Sequence, residues 1–256
     1  MNAPFVSSVH ERVSTEEWQE RVKLAAIYRL AALLHWTDHI YTHFSVRVPG
    51  DQPHFLINPY GLTFDEITAS SLVKLDIDGN IIDDPTGLGI NQAGFVIHSA
   101  IHRARPHSRA VLHTHTTAGI AVSAQKHGLL TISQHAARFH NRLAYHTYEG
   151  IALEEAEQPR LLADFGQRDA LILRNHGLLT TGRDLEEAFY NLYYLERASA
   201  AQVAALAGGS EIVTLPEAVA EKAARQFEAA VAAGRHQLHW DAYLRQLNRE
   251  NPGYAQ

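Results

Sequence analysis

The sequence predicts an α/β domain with terminal appendages, and three observations lead there. Short segments of strand-like period alternate with longer stretches of helical period. A length of 256 residues is long for one compact domain and short for two large ones. Hydrophobic residues at 46% and charged residues at 20% are those of a soluble globular chain, which excludes disordered, collagen-like and coiled-coil classes.

The elements follow in order. Residues 1–14 are mixed and polar without a sustained period and read as a loose N-terminal arm. At Thr15, followed by Glu16 and Glu17, a helix begins, and Leu24, Ile27, Leu30, Ala31 and Leu34 carry its period to about His35. Strand-like pieces at 41–48 and 54–57 flank Pro49-Gly50-Asp51, which predicts a hairpin. Residues 72–82 alternate around Asp78-Gly79-Asn80, a second hairpin. Phe95, Ile97, Ala100, Ile101 and Ala104 place a helix before Pro106. A strand at 110–115, a helix at 117–125, a Gly128 turn and the segment 129–133 come next. Residues 170–173 form an apolar strand ending at Arg174-Asn175-His176-Gly177. Asp184 opens a long helix over 185–206, which Gly208-Gly209 stops. Residues 209–256 form a C-terminal extension whose 216–249 stretch reads as one or two amphipathic helices, packed on the body or on a neighbouring subunit.

Composition narrows the function. A formal charge of -6 without any Lys/Arg cluster argues against nucleic acid and anionic membrane as partners. The absence of cysteine excludes disulfides, thiolate metal sites and cysteine nucleophiles, so any metal is held by nitrogen or oxygen. No apolar run reaches the ~18 residues of a membrane span, and residues 1–15 lack a signal-peptide apolar stretch, so the cytoplasm is the expected compartment. The unusual feature is 17 histidines.

Period two puts His113 and His115 on one face at the end of a strand, a spacing that suits two cis ligands. His176 closes a second buried strand, and Gly177 allows a sharp turn there, so a third imidazole can converge on the same point. Three neutral ligands leave an open coordination position, the arrangement of a catalytic metal. The same H-x-H spacing also fits two unrelated surface or core histidines.

The wider text decides between them. Trp36-Thr37-Asp38, Asn58-Pro59-Tyr60-Gly61, the run 67–74 (ITASSLVK), Asn91-Gln92-Ala93-Gly94-Phe95, the run 103–106 (RARP), the run 110–115 (AVLHTH), Ala144-Tyr145-His146 and the run 171–177 (LILRNHG) resemble, in order, the class II aldolase/adducin family, and its adducin-like branch above all. The resemblance covers roughly residues 15–208. It implies a three-layer α/β/α sandwich around a mostly antiparallel sheet, and a divalent metal, usually zinc, on His113, His115 and His176. It also implies a homotetramer with sites at subunit contacts. In such a family the metal acts as a Lewis acid while a carbon–carbon bond breaks.

Two departures redirect the substrate. Sugar-phosphate aldolases of the family carry an acid/base Glu four residues before the histidine that corresponds to His98, and here that position is Gly94. Their phosphate-binding serine pair and strand-end asparagine motif are replaced by Gln92-Ala93 and by Thr42-His43-Phe44-Ser45. An unphosphorylated substrate is therefore expected. Candidates to serve it are Tyr60 and His98 for proton transfer, His98 lying one helical turn after Gly94, and Arg138 for a substrate carboxylate. Gln134, His135, His43, His102 and His140 are on segments that can approach the metal, while the plainer reading of His102, His107, His127 and His140 is that they are solvated loop or helix residues.

Three functions are weighed. The first is a metal-dependent lyase or decarboxylase that cleaves a carbon–carbon bond of a small unphosphorylated oxo- or hydroxy-acid. The second keeps the three imidazoles but holds Fe(II), whose free positions take substrate and dioxygen in an oxidative decarboxylation of an aromatic 2-oxo or 2-hydroxy acid, as in adducin-like relatives of aminocoumarin biosynthesis. The third is a non-catalytic scaffold of the adducin kind, weighed against the lack of a long basic tail.

Overall fold

Alternating side chains on a central sheet divide the core into two halves, each covered by helices. The computed structural model describes residues 6–152 and 154–256. The sheet has eight strands: β1 His43–Arg47, β2 Phe55–Ile57, β3 Val73–Leu75, β4 Ile81–Asp83, β5 Ala110–Thr114, β6 Leu143–His146, β7 Ala170–Leu173 and β8 Gly177–Gly182. They lie in the order β4-β3-β2-β1-β5-β8-β7-β6. Every neighbouring pair is antiparallel except β6 with β7, which is parallel.

On one face Phe44, Val46, Leu56, Ala110, Leu112 and Leu178 pack under α2 (Thr15–Leu33), α7 (Leu185–Ala207) and α9 (His236–Glu250). On the other, Phe55, Ile57, Val111, Leu171 and Leu179 pack under α3 (Gln92–Ala104) and α6 (Gln158–Phe165). The three-layer α/β/α arrangement around a mostly antiparallel sheet is thus present. Both predicted hairpins form, with Ser45 opposite Ile57 and Leu75 opposite Ile81.

Helix starts follow local chemistry. The Ser14 hydroxyl accepts from Glu17 N–H at 3.1 Å, so the cap stands one residue before Thr15. Asp184 caps α7 through Glu187 N–H at 2.7 Å.

The arm expected at 1–14 is corrected in part: Val6–Arg12 is a helix, α1, with Val9 fully buried, while residues 1–5 lie outside the described residues. Strands β6 and β8 and helices α5 (Gln134–Ala137) and α6 were not read from the sequence. β8 is Gly-Leu-Leu-Thr-Thr-Gly, buried on both faces, so no alternation marks it. The C-terminal extension forms two helices, α8 (Glu217–Ala232) and α9. Trp240, Leu247 and Tyr254 join the main core, and Ala69 N–H donates to Tyr254 O at 2.8 Å. No helix among the described residues is long and apolar enough to cross a membrane.

Candidate metal centre

Strand parity builds the site. Phe44, Leu112 and Thr114 point toward α7, so His43, Ser45, His113 and His115 face the α3 side. His113 pairs with His43 on β1 and with Leu179 on β8. His176 stands between β7 and β8, directly before Gly177.

The three imidazoles converge. Their potential ligand atoms all lie within 4.8 Å of one another, with His115 Nε2 2.8 Å from both His113 Nε2 and His176 Nε2. The opposite ring nitrogens decide what those atoms offer. His113 Nδ1 donates to Leu178 O at 2.8 Å, and His115 Nδ1 donates to Asp38 Oδ2 at 2.9 Å. With Nδ1 carrying the proton in both rings, each Nε2 presents a lone pair. Two lone pairs at 2.8 Å repel unless a cation lies between them, so the donor set fits a divalent metal. Burial first, and then the neighbouring imidazoles, pushes His113 well below the ordinary imidazole range, and burial with His115 lowers His176 to about 4. Neutral rings are the ligating form.

The backbone around the triad is specialised. Asn175, with φ 55°, takes the left-handed conformation that brings His176 round, so the sharp turn belongs to Asn175 rather than to Gly177. Gly177 serves close approach: a Cβ there would stand 2.3 Å from Thr114 O and 3.1 Å from His115 Cδ2. Asp38, the partner of His115, lies in a loop where His35, His39 and Thr42 all have positive φ. Between His113 and His115, Thr114 turns to the other face and donates to Glu196 Oε1 at 2.5 Å, and Thr116 donates to Glu196 Oε2 at 2.6 Å. Burial raises this Glu196 carboxyl to about 7 despite both hydroxyls.

Behind the triad lies a buried polar chain. The His43 ring sits 5.2 Å from that of His113, and its Nδ1 is 2.9 Å from His98 Nε2. His98 Nδ1 is 2.5 Å from Ser45 Oγ, which is 2.7 Å from His102 Nε2. A Cβ on Gly94 would lie 2.6 Å from His43 Cδ2. His43 therefore fills the space a side chain at 94 would need. His98 reaches the triad's neighbour, not the triad. His102, expected as solvated, is buried because α3 turns it onto the sheet beside Ser45 and Phe55. Burial drives His43 and His98 well below the usual range and His102 to about 3.

Tyr60 and Arg138 lie elsewhere. Tyr60 follows β2 at the triad end of the sheet, its ring 6.2 Å from that of Tyr41, and a hydrogen bond with Tyr41 raises its phenol. The structure does not bring Arg138 to the triad within one chain. It follows α5, which packs on α7 and α8, and its Nη2 donates to Asn191 Oδ1 at 2.6 Å. Asn191 in turn donates to Thr181 O, near the opposite end of β8 from Gly177. His135 stacks near Tyr194 at 5.2 Å, also on α7. His107 and His127 are exposed as expected, and His140 is half-buried. Sequence reasoning gave no role to Asp38, Ser45, Glu196 or Tyr148, whose ring is 6.0 Å from His176. For Ser45 the signal was present, since it shares strand parity with His43, and His98 and His102 are four apart on a helix.

The family profile described as the class II aldolase and adducin N-terminal domain matches residues 22–203. The crystal structure of an aldolase II superfamily protein from Pseudomonas syringae is 59% identical, with TM-score 0.93 over 97% of this chain and 99% of that one. An L-fuculose 1-phosphate aldolase from Glaciozyma antarctica is 26% identical, with TM-score 0.81 over 93% of each chain. Alpha-adducin of Rattus norvegicus is 49% identical over 76% of this chain, which spans 27% of that protein.

Proposed function

We propose, from the premise that the chain belongs to the class II aldolase and adducin family, that it is a divalent-metal-dependent lyase cleaving a carbon–carbon bond of a small unphosphorylated oxo- or hydroxy-acid. The observation that carries this reading is the convergence of three imidazole nitrogens, two of which, on His113 and His115, face each other as lone pairs because their rings carry the proton on Nδ1. His113, His115 and His176 would hold the ion. Once bound, a divalent cation with three neutral ligands supplies a Lewis acid with free coordination, which zinc or iron(II) can provide.

The chain's own groups do the rest. Leu178 O and Asp38 hold two ligand rings in their tautomers. His43 and His98, linked through Ser45 to His102, form a chain in which each hydrogen bond takes one proton. With Nδ1 engaged by His98, the chain holds His43 beside His113 and leaves its Nε2 as the atom able to exchange a proton with substrate, the task for which Gly94 has no side chain. Tyr60, with Tyr41, places a phenol at the same end of the sheet as a second proton donor. An unphosphorylated substrate accords with the cationic groups nearby. Arg174, two residues before His176, turns away, donating to Gln125 O at 2.7 Å and lying 4.3 Å over the Tyr145 ring. Asp38 adds negative charge at the rim. A homotetramer with its sites at subunit contacts completes the reading.

The test is cleavage of a panel of unphosphorylated 2-oxo-4-hydroxy acids beside L-fuculose 1-phosphate, with protein purified without oxygen and its metal determined. Anaerobic turnover of an oxo-acid, lost in His176→Ala and reduced ~10²-fold in kcat in His98→Asn, is expected. Preference for the sugar phosphate overturns the substrate assignment. Iron with turnover only in the presence of dioxygen replaces the lyase by the oxygenase, and no bound metal replaces both by the scaffold.

A further inference from the structure

At the end of the sheet opposite the triad, where β7 begins at Ala170 and β8 runs out to Arg183, lies a cavity of about 370 Å³ roofed by α8. Arg138 is its distinctive group. The side chain is buried, 8% exposed, and its guanidinium lies 4.4 Å from the Tyr190 ring centroid and 5.6 Å from that of Phe227. Nη2 is used on Asn191, while Nη1 is buried and has no hydrogen-bond partner among the described residues. Nor does any carboxylate among them lie in ion-pair range of it. The cavity's acids are occupied: Arg183 pairs with Glu187 at 2.8 Å, Arg142 with Glu228 at 2.9 Å, and Arg105 with Asp169 at 3.1 Å.

A buried guanidinium without a counter-ion is costly, and aromatic faces offset only part of that cost. Burial has already lowered Arg138 from its ordinary value, but a guanidinium does not deprotonate in a protein. What the geometry lacks is a planar acceptor able to take Nη1. We infer that this cavity is a binding site for a small monocarboxylate with a compact apolar body, separate from the metal centre and independent of the lyase reading. The carboxylate meets Arg138, and Phe139, Phe227 and Val231 supply the apolar wall. A phosphate dianion is disfavoured because Glu187, Glu228 and Asp169 also line the space.

Calorimetric titration of the metal-loaded full chain with benzoate, benzamide and inorganic phosphate tests this. Benzoate is expected to bind, benzamide at least tenfold more weakly. Arg138→Met should weaken benzoate at least tenfold while His176→Ala leaves it unchanged. Phe227→Trp, which narrows the cavity and keeps the guanidinium, decides the matter should Arg138→Met fail to fold, and is expected to weaken benzoate likewise. Absence of benzoate binding, tighter binding of phosphate, loss of benzoate in His176→Ala, or undiminished binding in folded Arg138→Met or in Phe227→Trp each overturns the proposal.

Discussion

Gly94 and His43 are the residue pair on which the local chemistry turns. The imidazole of His43 is held by His98 and cannot swing away cheaply, so a methyl group at 94 forces overpacking. Gly94→Ala should cost about 1–3 kcal/mol in denaturant unfolding. Adding His43→Ala should recover part of that loss, and a double-mutant cycle with strictly additive costs would show that the two positions do not share the space. Buried imidazoles set a second expectation. Folding depresses His98 and His102, the latter to about 3, so between that value and the unfolded value near 6.5 only the unfolded chain takes up protons. Their contribution is complete above about pH 6.5 and declines as pH falls, by about 1.4 kcal/mol per unit for each ring. Urea unfolding at pH 7, 6 and 5 should show His102→Asn losing stability less steeply than the wild type, and parallel slopes would contradict this.

At the scale of elements, β5 is fastened to α7 through Glu196, which takes hydroxyl hydrogens from Thr114 and Thr116 and so sets the strand end at His113 and His115. Here the sign is reversed. Folding raises this carboxyl from 4.5 to about 7, so the folded chain holds the proton more tightly, and stability is greatest below pH 4.5 and is lost as pH rises to about 7. The loss is on the order of 3 kcal/mol for this group and is opposite in sign to the gain from the buried histidines. Glu196→Gln should abolish that component, so its stability relative to wild type rises between pH 5 and 8. An unchanged difference across that range would mean that Glu196 is not a protonated buried acid in the fold. Element boundaries were legible where capping and periodicity agree, as at Asp184 and in the strand 170–173. They were illegible in β8, whose two buried faces erase alternation, and in the four-residue α5.

Across the whole molecule, the sequence contains the three-layer architecture through its motif order, and the triad through strand parity at 113 and 115 together with a strand end at 176. It conceals Arg138's position, because a short helix between two turns carries no information about which end of the sheet it covers. It also conceals the buried polar chain behind the triad, since His43, Ser45, His98 and His102 meet only when β1 and α3 pack. The C-terminal extension, which lies beyond the reach of the family resemblance, shares the main core through Trp240 and Leu247. The proposed function depends on a single cation held by His113, His115 and His176. Titrating metal-stripped protein with zinc, against a chelating indicator and with dioxygen excluded, tests that most directly. One equivalent should bind per chain, with affinity falling at least ~100-fold in His113→Ala and His176→Ala. Unaltered stoichiometry and affinity in both variants would place any bound metal elsewhere and remove the basis for catalysis at this site.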